Sequence, residues 1–425
     1  MSSTDVVIVG AGAAGLATAI FARRANPRVR VVLLEGARAP GAKILVSGGS
    51  RCNVTNTEVT EADFNGGRPA VIRRVLRAFP VPATVAFFRD IGVPLHEEPN
   101  GKLFPDSNRS RDVVDALLRD AAQAGVDLRT GTRVLDVTRD GPVFRVETSR
   151  GALTTPALVL ATGGLSLPKT GSDGWGYGIA RRFGHAMVPT TPALVPMLID
   201  RDGADAVHAD LAGVSQPVRI DLRPSTRDAR SGQDRAAIVA SVEGALLWTH
   251  FGVSGPAALD VSRHWLRARL EGAEPAATAV LLPGRTFESI EDEWLALTRT
   301  KPKRTIASVL AGAMPASVAA AVLDRLRLPA DQTLADFPRE ARRRLLHRVL
   351  AWPLSFTDSR GYSYAEVTAG GVALTEIDPA TMASRVCAGL YLVGEILDVD
   401  GRLGGFNFQW AWASGRVAGE AVARA

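Results

Sequence analysis

Apolar positions along the chain switch between continuous runs, helical spacing and strict alternation, and each mode predicts an element. Val6-Val7-Ile8-Val9 and Val31 to Leu34 are short apolar runs that read as buried strands, with a helical stretch through Arg24 between them. Residues Pro69 to Phe88 carry apolar side chains at helical spacing (Val71, Val75, Leu76, Phe79) up to Pro80. Asp112 to Ala124 is amphipathic through Val113, Val114, Leu117 and Leu118 and stops at Gly125. His96 to Lys102 reads as a turn or hairpin. Val134 to Thr138 and Val143 to Thr148 alternate about Asp140-Gly141-Pro142, a hairpin pattern, and Ala157 to Gly164 is a buried strand ending in glycines.

From Pro189 the texture changes. Short strands at Leu194 to Ile199, Val218 to Leu222, Ala237 to Val242 and Ala245 to Thr249 suggest a small barrel or sandwich. Glu288 to Thr298, Thr305 to Ala313, Ala316 to Leu326 and Glu340 to Trp352 then read as helices. Strand patterns return at Ser363 to Val372 and Ala388 to Gly401, before a carboxyl-terminal helix.

The first of these patterns carries chemistry. Gly10-Ala11-Gly12-Ala13-Ala14-Gly15 follows a strand and opens a helix, and Glu35 ends the next strand, 20 residues past Gly15. Gly10 permits the tight turn, Gly12 lets a pyrophosphate approach the backbone, and Gly15 lets the helix pack on the strand. The amino terminus of the helix offers unpaired N–H groups and partial positive charge to the phosphates. Glu35 can accept from the hydroxyls of an adenosine ribose and would repel a 2'-phosphate, so the ligand here is FAD or NAD.

Composition narrows the class without changing that reading. At 425 residues the chain exceeds the size of one core, so two or three domains are expected. The two cysteines, Cys52 and Cys387, form no redox or metal motif, and no leader segment precedes the first strand, so a cytoplasmic protein is expected. Net charge is +6, but the chain has only five lysines; the cluster Arg339, Arg342, Arg343, Arg344 and Arg348 lies on a helical pattern and reads as a solvated face. No nucleic-acid, membrane or metal partner is expected. Thr305 to Leu323 lacks charge but is broken by Pro315, which predicts two buried helices rather than a membrane span.

Past Glu35 come Gly36 and then Ala42-Lys43-Ile44-Leu45-Val46-Ser47-Gly48-Gly49-Ser50-Arg51-Cys52-Asn53-Val54-Thr55-Asn56, too glycine-rich for a strand and too apolar for a surface loop. Lys43, Arg51 and Asn53 supply donors for phosphates or carbonyls. This run resembles the signature of the bacterial NAD(P)/FAD-dependent flavoproteins often labelled the aminoacetone oxidase family, with Ser50 where many members have a third glycine. Val367-Thr368-Ala369-Gly370-Gly371-Val372, the stretch Gly394-Glu395-Ile396-Leu397-Asp398-Val399-Asp400-Gly401, and Gly404-Gly405-Phe406-Asn407-Phe408-Gln409-Trp410-Ala411-Trp412 resemble its other signatures. So does Trp248 to Pro256, which lacks the second glycine of a nucleophile elbow.

The resemblance implies an α/β fold: a Rossmann-like, glutathione-reductase-type FAD domain from residues 1–188 and 354–425, a β-barrel-like insert at 189–284 and a small helical insert at 285–353. It implies a flavin-dependent oxidoreductase acting on a small organic substrate between the FAD domain and the inserts. By the same resemblance Val134 and Ala161, Thr162 and Gly163 line the cofactor. The candidate cofactor set is therefore Gly10, Gly12, Ala13, Ala14, Gly15, Glu35, Gly36, Lys43, Gly48, Gly49, Arg51, Cys52, Asn53, Val134, Ala161, Thr162, Gly163, Gly394, Glu395, Asp400, Gly404, Gly405, Phe406 and Asn407. In it, a carboxylate among Glu395, Asp398 and Asp400 can bond the ribitol, and amides from Gly404 to Asn407 can stabilise negative charge on the reduced ring. This distant returning segment turns the choice of ligand toward FAD. No second glycine fingerprint is present, so NAD(P)H would bind transiently as donor; an oxygen-using amine-oxidase type and a non-catalytic flavin-binding regulatory or RNA-associated protein are the alternatives. The catalytic group is unassigned. His250 is a candidate proton donor by its near-neutral pKa, or a hydrogen-bonding cap of its turn.

Overall fold

The computed structural model describes residues 2–203, 206–224 and 238–424. Val6–Val9 (β1) and Val31–Leu34 (β2) pair in parallel, Val6 with Val31 through Val9 with Leu34. Asp127–Arg129 (β3), Ala157–Leu160 (β4) and Leu390–Leu392 (β5) complete a five-stranded sheet in the order β5-β4-β1-β2-β3, parallel throughout. Helices cover both faces of such a sheet, so β1, β2, β4 and β5 are buried at every residue; that is why they read as continuous apolar runs.

Ala13–Ala25 (α1) connects β1 to β2 and packs along Phe406–Val422 (α2). Their backbones approach through missing side chains. A Cβ on Gly415 would lie 2.6 Å from the Ala14 carbonyl oxygen, and one on Gly419 2.5 Å from that of Thr18. The carboxyl-terminal helix is thereby fixed on the amino-terminal one. Trp410 and Trp412 are buried, their indole N–H groups donating to the Gly394 and Val54 carbonyls at 3.2 and 2.9 Å.

The chain divides into two compact units, Met1–Pro192 with Glu366–Ala425, and Ala193–Ala365, each with its own apolar core. The first holds the parallel sheet. It also contains the predicted hairpin, Val134–Asp140 with Val143–Thr148, in a four-stranded sheet. His96, expected in a turn or hairpin, lies in the strand Leu95–Glu98, which pairs with Lys102–Pro105 about a short turn.

The second unit joins strands and helices about one apolar core. Its seven-stranded antiparallel sheet runs Trp352–Leu354, Ala276–Val280, Ser215–Arg223, Ala240–Thr249, Gly252–Ser254, Met197–Ile199, Phe356–Ser359. Its two edge strands are separated in sequence by Ser355 alone, so the sheet curls until its edges approach, as in a barrel. Both strands follow the helical segment, and the unit ends at Ala365. The predicted strands at 237–242 and 245–249 are one strand, Ala240–Thr249; Ala237 lies outside the described residues.

The uncharged stretch forms Ile306–Leu310 and Ala316–Arg325, split by Pro315 at the cap of the second. Among the described residues no helix is long and apolar enough to cross a membrane. The arginine cluster is on Arg339–Leu350, but Arg342 points inward: it is buried, 3.7 Å from Glu291, because its position on that helix faces the core with Leu345, Leu346 and Val349.

Candidate functional site

The carboxyl ends of the parallel strands build a cradle from backbone. Gly10 turns the chain out of β1 with φ +103°, where a Cβ would meet the Ala161 carbonyl oxygen at 2.5 Å. A Cβ on Gly15 would lie 1.9 Å from the Gly10 oxygen, so only glycine lets α1 start against the strand. Gly12 has no atom within 4 Å of its virtual Cβ, leaving the approach to the helix open. It is the N-cap residue of α1 and no side chain caps the helix; the first intrahelical bond is Leu16 N–H to the Gly12 carbonyl. The N–H groups of Ala13, Ala14 and Gly15 thus have no intrahelical acceptor, a donor set that suits an anion.

Glu35 is anchored beside it. One carboxylate oxygen accepts from Ala11 N–H at 3.0 Å and the other from Ala37 N–H at 2.9 Å, and each keeps a second lone pair for a hydroxyl. Gly36 is exposed beside Arg133, and Val134 begins its strand as a buried residue. Across the cradle, Ala161 N–H bonds the Val9 carbonyl, Gly163 turns at φ +71°, and the Thr162 hydroxyl oxygen is buried without a partner among the described residues. Gly394 passes over the start of α1 at φ +73°, its virtual Cβ 2.8 Å from that of Ala14, while its N–H bonds Ser414 Oγ. An orphaned hydroxyl, an uncapped helix and glycines held against backbone fit a dinucleotide with a carboxylate at one ribose.

A charged cluster stands at the same strand ends. Lys43 Nζ lies 2.5 Å from Glu395 Oε2 and 2.5 Å from Ser166 Oγ; Ser166 Oγ donates to Glu395 Oε1 at 2.5 Å, which also accepts Thr368 N–H at 3.0 Å. Thr368 Oγ1 in turn accepts the N–H groups of Leu165 and Ser166. Lys43 and Glu395 were expected as separate cofactor contacts; the structure makes them an ion pair whose two side chains are 23% and 16% exposed. Ser166 and Thr368 were missed, and only the position of Thr368 within the Val367 to Val372 signature could have signalled it.

The glycine-rich loop is a short helical turn from Ala42 that leaves helical geometry at Ser47, with Gly48 at φ +55° and Gly49 at φ +67°. Ser50 and Cys52 continue it at φ +66° and +64°, so the serine that replaces the family's third glycine occupies a left-handed position. The Arg51 guanidinium lies 4.2 Å over the Phe104 ring and 2.5 Å from Glu98, whose carboxyl it holds below the ordinary range. Cys52 is fully buried, and burial pushes its thiol up to about 12, which leaves it unreactive at neutral pH. Asn53, with its amide turned to suit its neighbours, donates to the Thr55 and Leu103 carbonyls and accepts from Gly405 N–H at 3.1 Å.

That last bond alters the expected flavin end. The Gly405 N–H is engaged, and the donors left at the uncapped start of α2 are those of the first helical residues, Phe406 and Asn407 among them. Gly404 and Gly405, at φ +135° and +91°, make the turn. The Phe406 side chain is core, packed on Phe64, and that of Asn407 clamps Gly401 through its N–H and carbonyl at 2.8 and 2.9 Å. Asp400 is 1% exposed on the short strand Val399–Gly401. His250 belongs to the second unit, exposed at the turn after Ala240–Thr249; its ring edges Phe251 and its nitrogens have no hydrogen-bond partner among the described residues, so it does not cap that turn. Among those residues no cluster suits a metal ion.

Residues 4–421 match the family described as HI0933-like protein Rossmann domain. The chain is 32% identical to a ribosomal RNA dihydrouridine synthase of Escherichia coli over 97% of this chain and 96% of that one. It is 31% identical to a 3-dehydro-bile acid delta(4,6)-reductase of Clostridium scindens, over 98% of each, and to a ribosomal RNA dihydrouridine synthase of Haemophilus influenzae, over 99% of each. Among solved structures, a quinol-fumarate reductase with menaquinol molecules is similar at a TM-score of 0.52 and 16% identity, covering 100% of this chain and 71% of that one, a likeness of fold. With its dinucleotide cradle intact and its match running nearly end to end, the chain belongs to the HI0933-like flavoproteins, a family of FAD-binding, flavin-dependent oxidoreductases.

Proposed function

We propose that this protein is a FAD-dependent reductase that saturates a carbon–carbon double bond conjugated to a carbonyl, with NAD(P)H as electron donor. The observation that carries the cofactor part is the cradle: the open approach at Gly12, the uncapped α1 and the two-point anchored Glu35. In this reading the first turn of α1 holds the pyrophosphate, Glu35 the adenosine ribose, and the Gly394-Glu395 turn with the start of α2 the ribitol and ring. Bound FAD supplies hydride transfer. The Lys43–Glu395 pair and Ser166 hold the loop and the returning segment in register around it.

The reaction class is supported by what the relatives are named for. A dihydrouridine synthase and a bile acid delta(4,6)-reductase act on different molecules but on one kind of bond, an alkene activated by a carbonyl. Two of those names concern ribosomal RNA, so the expectation against a nucleic-acid partner gives way: a uracil of ribosomal RNA is the first substrate of this proposal, and a small enone the second. The net charge of +6 suits the first.

The test is anaerobic. The flavin-loaded protein is reduced with NADH or NADPH, then mixed with ribosomal RNA lacking dihydrouridine or with a 3-oxo-4-ene steroid, and the visible flavin spectrum is followed. Return of the oxidised spectrum with saturation of the substrate is expected. A reduced protein that neither substrate reoxidises, but oxygen does rapidly, refutes the reading in favour of an oxidase.

A further inference from the structure

The second unit carries a row of flat side chains on its surface. Its strand Met197–Ile199 pairs with Gly252–Ser254 on one side and Phe356–Ser359 on the other, so that Phe251, just before one, and Arg360, just after the other, come together. The Arg360 guanidinium lies 4.6 Å from the centre of the Phe251 ring and 3.5 Å from that of Tyr364. Phe251 in turn meets the His250 ring edge to face, with centroids 5.1 Å apart. Both ends of the row are open: Tyr364 is 49% exposed, and His250 is exposed.

Backbone holds the row in place. Arg360 N–H donates to the Pro196 carbonyl at 3.0 Å, Tyr364 N–H to that of Gly361 at 3.0 Å, and Ile199 N–H to that of Phe251 at 3.2 Å. The polar edges are left over. Among the described residues the Arg360 guanidinium has neither a hydrogen-bond acceptor nor a carboxylate within ion-pair distance, and the Tyr364 hydroxyl and the His250 ring nitrogens have no partner. Arg201 donates to the His250 carbonyl at 3.1 Å and likewise meets no carboxylate among those residues. A guanidinium whose face covers aromatic rings keeps its in-plane donors for an oxyanion from outside the protein.

We propose that this row is a platform for single-stranded RNA, in which bases stack on Tyr364 and His250 while Arg360 and Arg201 take phosphates of the same strand. That the nucleic acid is RNA rests on the ribosomal RNA reading above. The combination selects the class of ligand. Cations alone hold any polyanion and aromatic faces alone hold any flat molecule, whereas aromatic faces beside phosphate donors suit an unpaired strand. A duplex hides its base faces and is held through phosphates and 2'-hydroxyls instead. The openness of the row argues against a lone nucleotide, which binds in a concavity that buries most of its surface.

The experiment follows the fluorescence anisotropy of a labelled oligouridylate of about ten nucleotides, added to the flavin-loaded full chain at several salt concentrations. The single strand is expected to bind about tenfold or more tighter than the same RNA annealed to its complement. Tyr364→Ala, on an exposed residue, should weaken binding about tenfold with the salt dependence and flavin content unchanged, and Tyr364→Phe should retain it. Arg360→Gln should weaken binding and reduce the slope of log affinity against log salt by about 0.7. Duplex bound as tightly as single strand, displacement of the RNA by an equal concentration of NADPH, or wild-type affinity in both Tyr364→Ala and Arg360→Gln overturns the proposal. The reductase reading fails separately, in reduced flavin that bound RNA does not reoxidise; ribosomal RNA turnover undiminished in both variants refutes the platform alone.

Discussion

Replacing Lys43 by methionine removes the cation that joins the loop after β2 to the returning segment and leaves the stem packed. The two charges are 2.5 Å apart with side chains 23% and 16% exposed, between the surface and buried limits. Exposed pairs contribute up to about 1 kcal/mol, whereas breaking a buried pair costs about 3–5 kcal/mol. Glu395 keeps Ser166 Oγ and Thr368 N–H as donors when Lys43 is gone, so its charge is not stranded. We therefore expect Lys43→Met to lower local stability by about 2 kcal/mol, an interpolation between those limits. Glu395→Gln should act at least as strongly, because it leaves Lys43 facing Ser166 alone. The double variant should recover about 1–2 kcal/mol of the sum, the coupling of groups in one network. Hydrogen exchange in peptides spanning Thr368 and Glu395, measured on flavin-free protein, reads this opening without the contribution of bound cofactor. A coupling below about 0.3 kcal/mol, within the noise of additivity, would refute the claim that these groups act as one clasp.

Three further outcomes test other parts of the site. Glu35→Ala should weaken FAD retention about tenfold, close to 1.4 kcal/mol, in a protein that still folds; dialysis retention equal to wild type would remove Glu35 from the ribose. Ser50→Gly should raise stability by about 0.5–1 kcal/mol, because relief of a left-handed serine, about 1–2 kcal/mol, exceeds the added chain entropy of glycine; lower stability in urea melts would contradict it. Burial raises the Cys52 thiol from 9.0 to about 12, so the stability held by its neutral form is fully present below pH 9.0 and is lost as pH rises toward about 12. Cys52→Ala should flatten that alkaline decline, and an unchanged slope would assign it to other groups.

The site shows how far local pattern reaches. The backbone geometry at Gly10, Gly12 and Gly15 was legible because it is set by neighbours within one strand-turn-helix unit: a positive φ, a helix start, a close approach. The ion pair of Arg51 was not legible, because residue type alone does not say which anion a guanidinium meets; the strand carrying Glu98 supplies one. Ser166 had no signal, since a serine three residues past a glycine turn is unremarkable until Glu395 arrives from 229 positions away.

By itself, then, the amino-acid order determined the buried strands, the glycine turns, the fingerprint and the split of the Thr305 to Leu323 stretch at Pro315, all governed by backbone dihedrals and periodicity over a few residues. Tertiary structure alone decided the rest. It paired Lys43 with Glu395 across 352 positions, gave the Gly405 N–H to Asn53, and joined strands and helices of the second unit around one core. Those outcomes depend on which distant groups the topology brings within hydrogen-bond reach, and contacts of that kind leave no period in the chain.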